Sequence, residues 1–110
     1  MNQQATIFDL NTGIQLKQEG MEQAARNRRD MLDEARDIAE SIAMQRSDRK
    51  ITMDAVIHGL IKRYGEGAVT VLGNSAGSVF KSGDWEWTGE RIKSVRVRNH
   101  ARELKVWRLL

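Results

Sequence analysis

Apolar positions along this chain recur with two different periods, and the change from one to the other marks out its organisation. From Ile14 onward, Met21, Ala24, Ala25, Arg28, Met31, Leu32, Ala35, Ile38, Ala39, Ile42 and Ala43 follow at spacings of three and four, the period of one helix face. The opposite face carries both signs of charge (Glu22, Arg29, Asp33, Arg36, Asp37, Glu40). A run of about thirty residues is long for one globular helix, and Gly20 or Asn27-Arg28 is where it would divide. The alanines between Ala24 and Ala43 let a second helix approach closely. The stripe therefore serves a domain core, the simpler use, or a homodimer through this N-terminal helix. Ahead of it, Ile7, Phe8 and Leu10 form a small apolar patch before Asn11-Thr12-Gly13. Residues 1–13 read as an arm that docks or stays mobile, and 14–110 as one domain with an extended first helix.

Ser47-Asp48-Arg49-Lys50 interrupts the helical period with a polar turn, and Ile51-Thr52 predicts a short strand. Thr52 is a good N-cap for a second helix, with Asp54 in the first turn where the helix dipole favours an acid. Val56, Ile57, Leu60, Ile61 and Tyr64 form its apolar stripe, and Gly65 is placed to close it. The Gly-rich stretch from Gly65 to Gly73 reads as a connection anchored by Val69 and Val71. A short third helix is expected after it, capped by Asn74 or Ser75, with Ala76, Val79 and Phe80 inside and Ser75, Ser78 and Lys81 outside. After Ser82-Gly83-Asp84 the period shortens to that of strands, predicted over Trp85 to Thr88 and Leu104 to Leu109. Packing of the ribbon's tryptophans, Trp85, Trp87 and Trp107, against Phe80 and the helices is the expected use of those rings; an exposed one would mark a partner surface. Helix, short strand, helix, short helix and two-stranded ribbon, in that order, give an α+β winged-helix plan: three helices, the first long, and a C-terminal β-hairpin wing.

Charge changes this picture more than composition does. The interval from Arg91 to Arg108 holds seven of the 18 Lys/Arg and one of the 15 acids, so it carries +6 while the rest of the chain carries −3. A near-neutral body with a strongly basic ribbon calls for a negatively charged partner, nucleic acid first. At 40% hydrophobic and 30% charged residues the chain reads as an ordinary globular domain. It has no cysteine, which excludes disulfides and thiolate metal sites and suggests an intracellular protein. No apolar run approaches the ~18 residues of a membrane span. The N-terminus lacks the charged and apolar regions of a signal peptide, so a cytoplasmic location is expected.

Several stretches also resemble a known group. Gly73-Asn74-Ser75-Ala76-Gly77-Ser78-Val79-Phe80, Trp87-Thr88-Gly89, His100-Ala101-Arg102 and the final Val106-Trp107-Arg108-Leu109 are similar to small phage- and prophage-encoded winged-helix proteins, most of them described only as hypothetical. The resemblance spans roughly Asp33 to Leu110. It implies a winged-helix fold and a phage context, hence a host-cell cytoplasm. The connection before Asn74 departs from the pattern, being longer and richer in glycine.

DNA binding needs cations that neutralise phosphates and side chains that reach base edges. Arg91, Lys93, Arg96, Arg98 and Arg102 on the wing supply the first, with His100 beside them as a donor to a phosphate or to the loop backbone. Asn74, Ser75, Ser78 and Lys81 on the third helix would have to supply the second. That face is small and weakly cationic, so recognition of phosphates and groove shape is expected over base readout. If the wing stays extended, Arg96 and Arg98 share one side and Val95 and Val97 the other. The bland alternative is a charged ribbon edge that prevents aggregation.

Enzymatic and metal chemistry are not expected. His58 and His100 lie far apart in sequence with no cysteine between them, so no metal or cofactor is assigned. Glu103-Leu104-Lys105 matches the Glu-x-Lys of metal-dependent nucleases, with Asp84 and Glu86 upstream, but a hairpin places those acids near opposite ends. The expected function is non-enzymatic binding of double-stranded DNA in transcription or replication control. The alternative is a phage protein-interaction module whose basic Trp/Arg ribbon blocks a host nucleic-acid-binding enzyme or defence complex.

Overall fold

In a computed structural model of the protein, the described part comprises the backbone of residues 7–110 and the side chains from Arg26 onward. Helix α1 spans Ile7–Gln45, strand β1 Lys50–Ile51, helix α2 Met53–Tyr64 and helix α3 Gly67–Leu72. A 3-10 turn follows at Gly73–Ser78, then β2, Trp85–Lys93, a second 3-10 turn at Val97–Asn99, and β3, Glu103–Leu109. The three strands form one antiparallel sheet in the order β1-β3-β2. This is an α+β fold whose element order is compatible with a winged-helix-like layout.

The helix periods chose the core. From α1, Ala35, Ile38, Ala39 and Ala43 are buried; from α2, Val56, Ile57 and Leu60 join them. Alanine on α1 draws the two helices together, and Gly59 on α2 completes the approach: a Cβ there would lie 2.7 Å from Ile38 Cγ2. Tyr64, expected on the inner stripe, is exposed, and its hydroxyl donates to Glu34 Oε2 at 2.7 Å. Thr52 occupies the N-cap position of α2 but its side chain makes no capping bond. At the other end the Gly65 N–H donates to Ile61 O, closing α2 as expected.

Three expectations need correction. Residues Ile7 to Gly13, read as part of an arm, already belong to α1, which continues through Gly20 and Asn27-Arg28 without a break; residues 1–6 of that arm and the side chains of Met21, Ala24 and Ala25 lie outside the described part. The third helix is not at Asn74–Lys81. It is Gly67–Leu72, within the stretch read as a connection, because Ala68 and Leu72, one turn apart, both reach the core. The β-branched Val69, Thr70 and Val71 disfavour helix locally, and tertiary burial overrides that weak preference. Asn74 to Ser78 offers no apolar stripe, follows Gly73 and contains Gly77, so it forms only a 3-10 turn. Third, residues 95–98 do not remain extended, since Val97–Asn99 turns over into the second 3-10 segment.

The sheet is sealed by aromatics. Phe80 meets Trp85 edge-on at 5.0 Å and 84°, and stacks on Trp107 at 5.4 Å and 13°. Such ring pairs contribute ~0.5–1.5 kcal/mol beyond the area they bury. Arg49, at φ 57°, ties the chain end to the α1–β1 turn by donating from Nε to Leu109 O and from Nη2 to Leu110 O.

Because Ile38 is itself buried and β-branched, it has little room to yield to a new methyl group at position 59. Gly59→Ala should therefore lower stability by about 1–3 kcal/mol despite alanine's better helix propensity. Chemical denaturation checks this; a variant as stable as the parent would show that α1 and α2 are further apart.

Candidate nucleic-acid interface

Ribbon β2–β3 is divided by an irregularity between Trp87 and Arg91. Trp87 pairs with Trp107 and Arg91 with Lys105, so four steps on β2 match two on β3. Gly89 makes this possible at φ 86°, where a Cβ would be strained although no neighbour lies within 4 Å. The freed polar groups are reused locally. Thr88 Oγ1 donates to Val106 O at 2.9 Å and accepts from Glu90 N–H, while the Trp87 indole N–H donates to Glu90 O at 3.1 Å. On the body side of this bulge sit the tryptophans; on the far side sit the cations.

Beyond the bulge the ladder pairs Arg91 with Lys105, Ile92 with Leu104 and Lys93 with Glu103. Two like charges directly opposite each other disfavour strand pairing. Here both lie against one ring: Arg91 Cζ is 5.2 Å and Lys105 Nζ 4.8 Å from the Trp87 centroid, and Lys105 also lies 5.9 Å from Trp107. Trp87, 42% exposed, is thus the outward-facing member of the three tryptophans. Trp87 is the exposed ring that, on the sequence, would mark a partner surface, whereas Lys105, weighed there only within Glu-x-Lys, joins the basic strip through its pairing with Arg91.

The connection from Ser94 to Arg102 is an ordered loop, rooted on α2. Ser94 is buried, and its hydroxyl donates to the Asp54 carboxylate at 2.8 and 2.9 Å from the two oxygens. Val95 N–H donates to Asp54 Oδ2 at 2.8 Å. The same Ser94 oxygen accepts from Arg96 N–H at 3.2 Å and from the Asn99 amide at 3.0 Å. Asp54, expected only to favour the helix dipole, also anchors the β2–β3 loop. At the tip His100 and Ala101 take positive φ (49° and 60°) and Arg102 N–H donates to Asn99 O at 2.9 Å, the pattern of a tight turn with both central residues left-handed. His100 is exposed, and its backbone N–H donates to Val97 O.

Acids near the base of the ribbon neutralise the cations around them. Glu90 accepts from Lys50 Nζ at 2.6 Å; that hydrogen bond, then the carboxylate's charge, holds the Lys50 ammonium above its ordinary pKa. Glu86 pairs with Arg108, and Glu66 lies 3.8 Å from Arg98 across two exposed side chains. Lys93, Arg96 and Arg102 have no carboxylate within 4 Å among the described residues. The loop leans toward the helices: Arg96, Val97 and Arg98 line a small groove with Ile61, Glu66 and Val69.

The third-helix candidates lie elsewhere. Asn74, Ser75 and Ser78 are on the first 3-10 turn, Lys81 just past it, and Ser78 O accepts from Arg36 Nη2 of α1 at 3.0 Å. Among the described residues no hydrogen bond or ion pair joins these four to the wing. The exposed positions of α3 itself, Gly67 and Thr70, carry no charge. His58 is exposed on α2, and among the described residues no group of three or more His, Cys, Asp or Glu converges as a metal site would require. Glu86 is opposite Arg108, roughly 16 Å along β3 from Glu103 at ~3.3 Å per residue, so the Glu-x-Lys acids do not meet. No described helix is long and apolar enough to cross a membrane. No family model, curated protein or solved structure matches the chain.

Removing the anchoring carboxylate should free the loop without dissolving the core. Asp54→Ala leaves the Ser94 hydroxyl and Val95 N–H without their acceptor, at about 1–3 kcal/mol for hydrogen bonds to a charged group. Amide exchange at Val95 should accelerate at least tenfold while that of Leu60 changes only with global stability. Unchanged exchange at Val95 would mean the carboxylate does not hold the wing.

Proposed function

We propose that this protein is a non-enzymatic winged-helix binder of double-stranded DNA, acting in transcription or replication control, and that its ribbon carries most of the contact. The sheet order β1-β3-β2 behind the α2–α3 pair supports the winged-helix reading. The sequence similarity to small phage winged-helix proteins fits the same assignment. The observation that carries the function is the charge distribution along the ribbon: close ion pairs hold Lys50 and Arg108 near its base, Arg98 reaches Glu66 only at 3.8 Å, and Lys93, Arg96 and Arg102 have no carboxylate within 4 Å among the described residues.

Cations left without acids on an ordered loop suit phosphates at fixed spacing, and release of condensed counterions drives such binding. Arg91 and Lys105, paired across the strands and both lying against Trp87, extend the same strip toward the body. The uncharged α3 offers little for base edges, so shape and backbone are what this surface reads. One feature favours the competing occupant, a host protein that itself binds nucleic acid: exposed Trp87 beside arginine is the composition of protein interfaces.

Titration of a mixed-sequence duplex against salt tests the assignment. The logarithm of the binding constant should fall linearly with that of salt, and Arg96→Ala with Arg102→Ala should flatten the slope by about 1.8, or ~0.9 for each lost phosphate contact. Absence of duplex binding at 50 mM salt, together with nuclease-resistant capture of one host protein, would transfer the surface to the protein partner.

A further inference from the structure

The root side of the loop exposes the wrong residues for a surface that only collects phosphates. Val95 is 88% and Val97 89% exposed, more than any other large apolar side chain among the described residues. Both sit on a loop that directs its polar groups inward: Ser94 and the Val95 N–H to Asp54, Asn99 to Ser94, and Ser94 N–H to Arg102 O at 2.8 Å. An ordered backbone thus presents two branched apolar side chains to water, with Lys93, Arg96, Arg98 and Arg102 interleaved among them. A loop evolved only for solubility has no reason to place valine there.

We propose that Val95 and Val97 bear on the sugar walls of the B-form minor groove and select deoxyribose against ribose, so that the wing recognises DNA and rejects duplex RNA. This rests on the DNA-binding reading above and names which nucleic acid that surface takes. The flanking cations fit the charge of both phosphate rims, while the two exposed valines fit what lies between them. The minor groove of DNA is about 6 Å wide. Its sugar walls present C–H groups and no hydroxyl. The A-form minor groove of RNA is wide, shallow and lined with 2′-hydroxyls. Opposite a valine methyl such a hydroxyl loses its water and gains no partner, whereas a deoxyribose at the same place loses nothing. The discrimination is therefore placed at two side chains and separated from the general attraction of the cations.

The test uses the full chain and three probes: a DNA duplex, an RNA duplex of the same sequence, and no nucleic acid. The variant is Val95→Thr with Val97→Thr, which keeps side-chain shape, adds two hydroxyls and lies at positions too exposed to perturb folding. The native chain should bind the DNA at least ~10-fold more tightly than the RNA, the ratio expected for one unpaired polar group. The threonine variant should bring that ratio to within about threefold while leaving the salt slope on DNA unchanged, because no phosphate contact is lost. Salt-dependent DNA binding with equal affinity for RNA, or a preference that survives in the variant, would overturn the proposal and leave the DNA-binding reading standing. Binding to neither duplex would overturn both, and the valines would then belong to a protein interface.

Discussion

Asp54 is the point on which the arrangement of this protein turns. It lies in the first turn of α2, where its charge suits the helix dipole, and it accepts hydrogen bonds from the Ser94 hydroxyl and the Val95 N–H across 40 residues of chain. A loop with four cations between Lys93 and Arg102 would otherwise be driven toward many extended conformers by its own repulsion. A single carboxylate at its root favours one orientation of the loop. Ser94 enlarges the effect by accepting from Arg96 N–H and Asn99, so the anchor organises the first half of the loop and not one residue of it.

The ribbon can be divided in this way because of the bulge at Thr88-Gly89-Glu90. On the body side, Trp85 and Trp107 pack on Phe80 and commit the strands to the core. On the far side the same two strands place Arg91 opposite Lys105. That juxtaposition works against folding and is mitigated by the face of Trp87, whose quadrupole attracts both cations. The acids tell the same story: Glu86 and Glu90 neutralise the base, and none neutralises Lys93, Arg96 or Arg102.

Much of the fold was legible in the sequence because periodicity survives translation into structure. The stripe from Met31 to Ala43, the stripe from Val56 to Leu60, the Gly65 stop and the last strand follow directly from spacing, whereas the strand read over Trp85 to Thr88 runs on to Lys93, through what was read as connection. The third helix did not, because Gly67–Leu72 is too short for its period to show, and its valines prefer extended backbone. Burial of Ala68 and Leu72 decided the matter, and burial is a property of the whole fold. The basic wing was legible as composition, but its geometry was not. Asp54 and Ser94 are 40 residues apart and neither is unusual where it stands. The bulge had one local sign, Thr-Gly after an aromatic, and that sign does not give its size. Asn74, Ser75 and Ser78 were expected on a third helix and lie instead on a 3-10 turn, with Ser78 O accepting from Arg36 of α1.

The proposed contact lies mostly on the ribbon beyond the bulge, rooted on Asp54. Amide chemical-shift mapping during titration with a short DNA duplex tests this residue by residue. The account predicts progressive shifts at Lys93 to Arg102 and at Lys105, with Asn74 to Ser78 unmoved. Shifts concentrated at Asn74 to Ser78 and Lys81, with a silent wing, would contradict it.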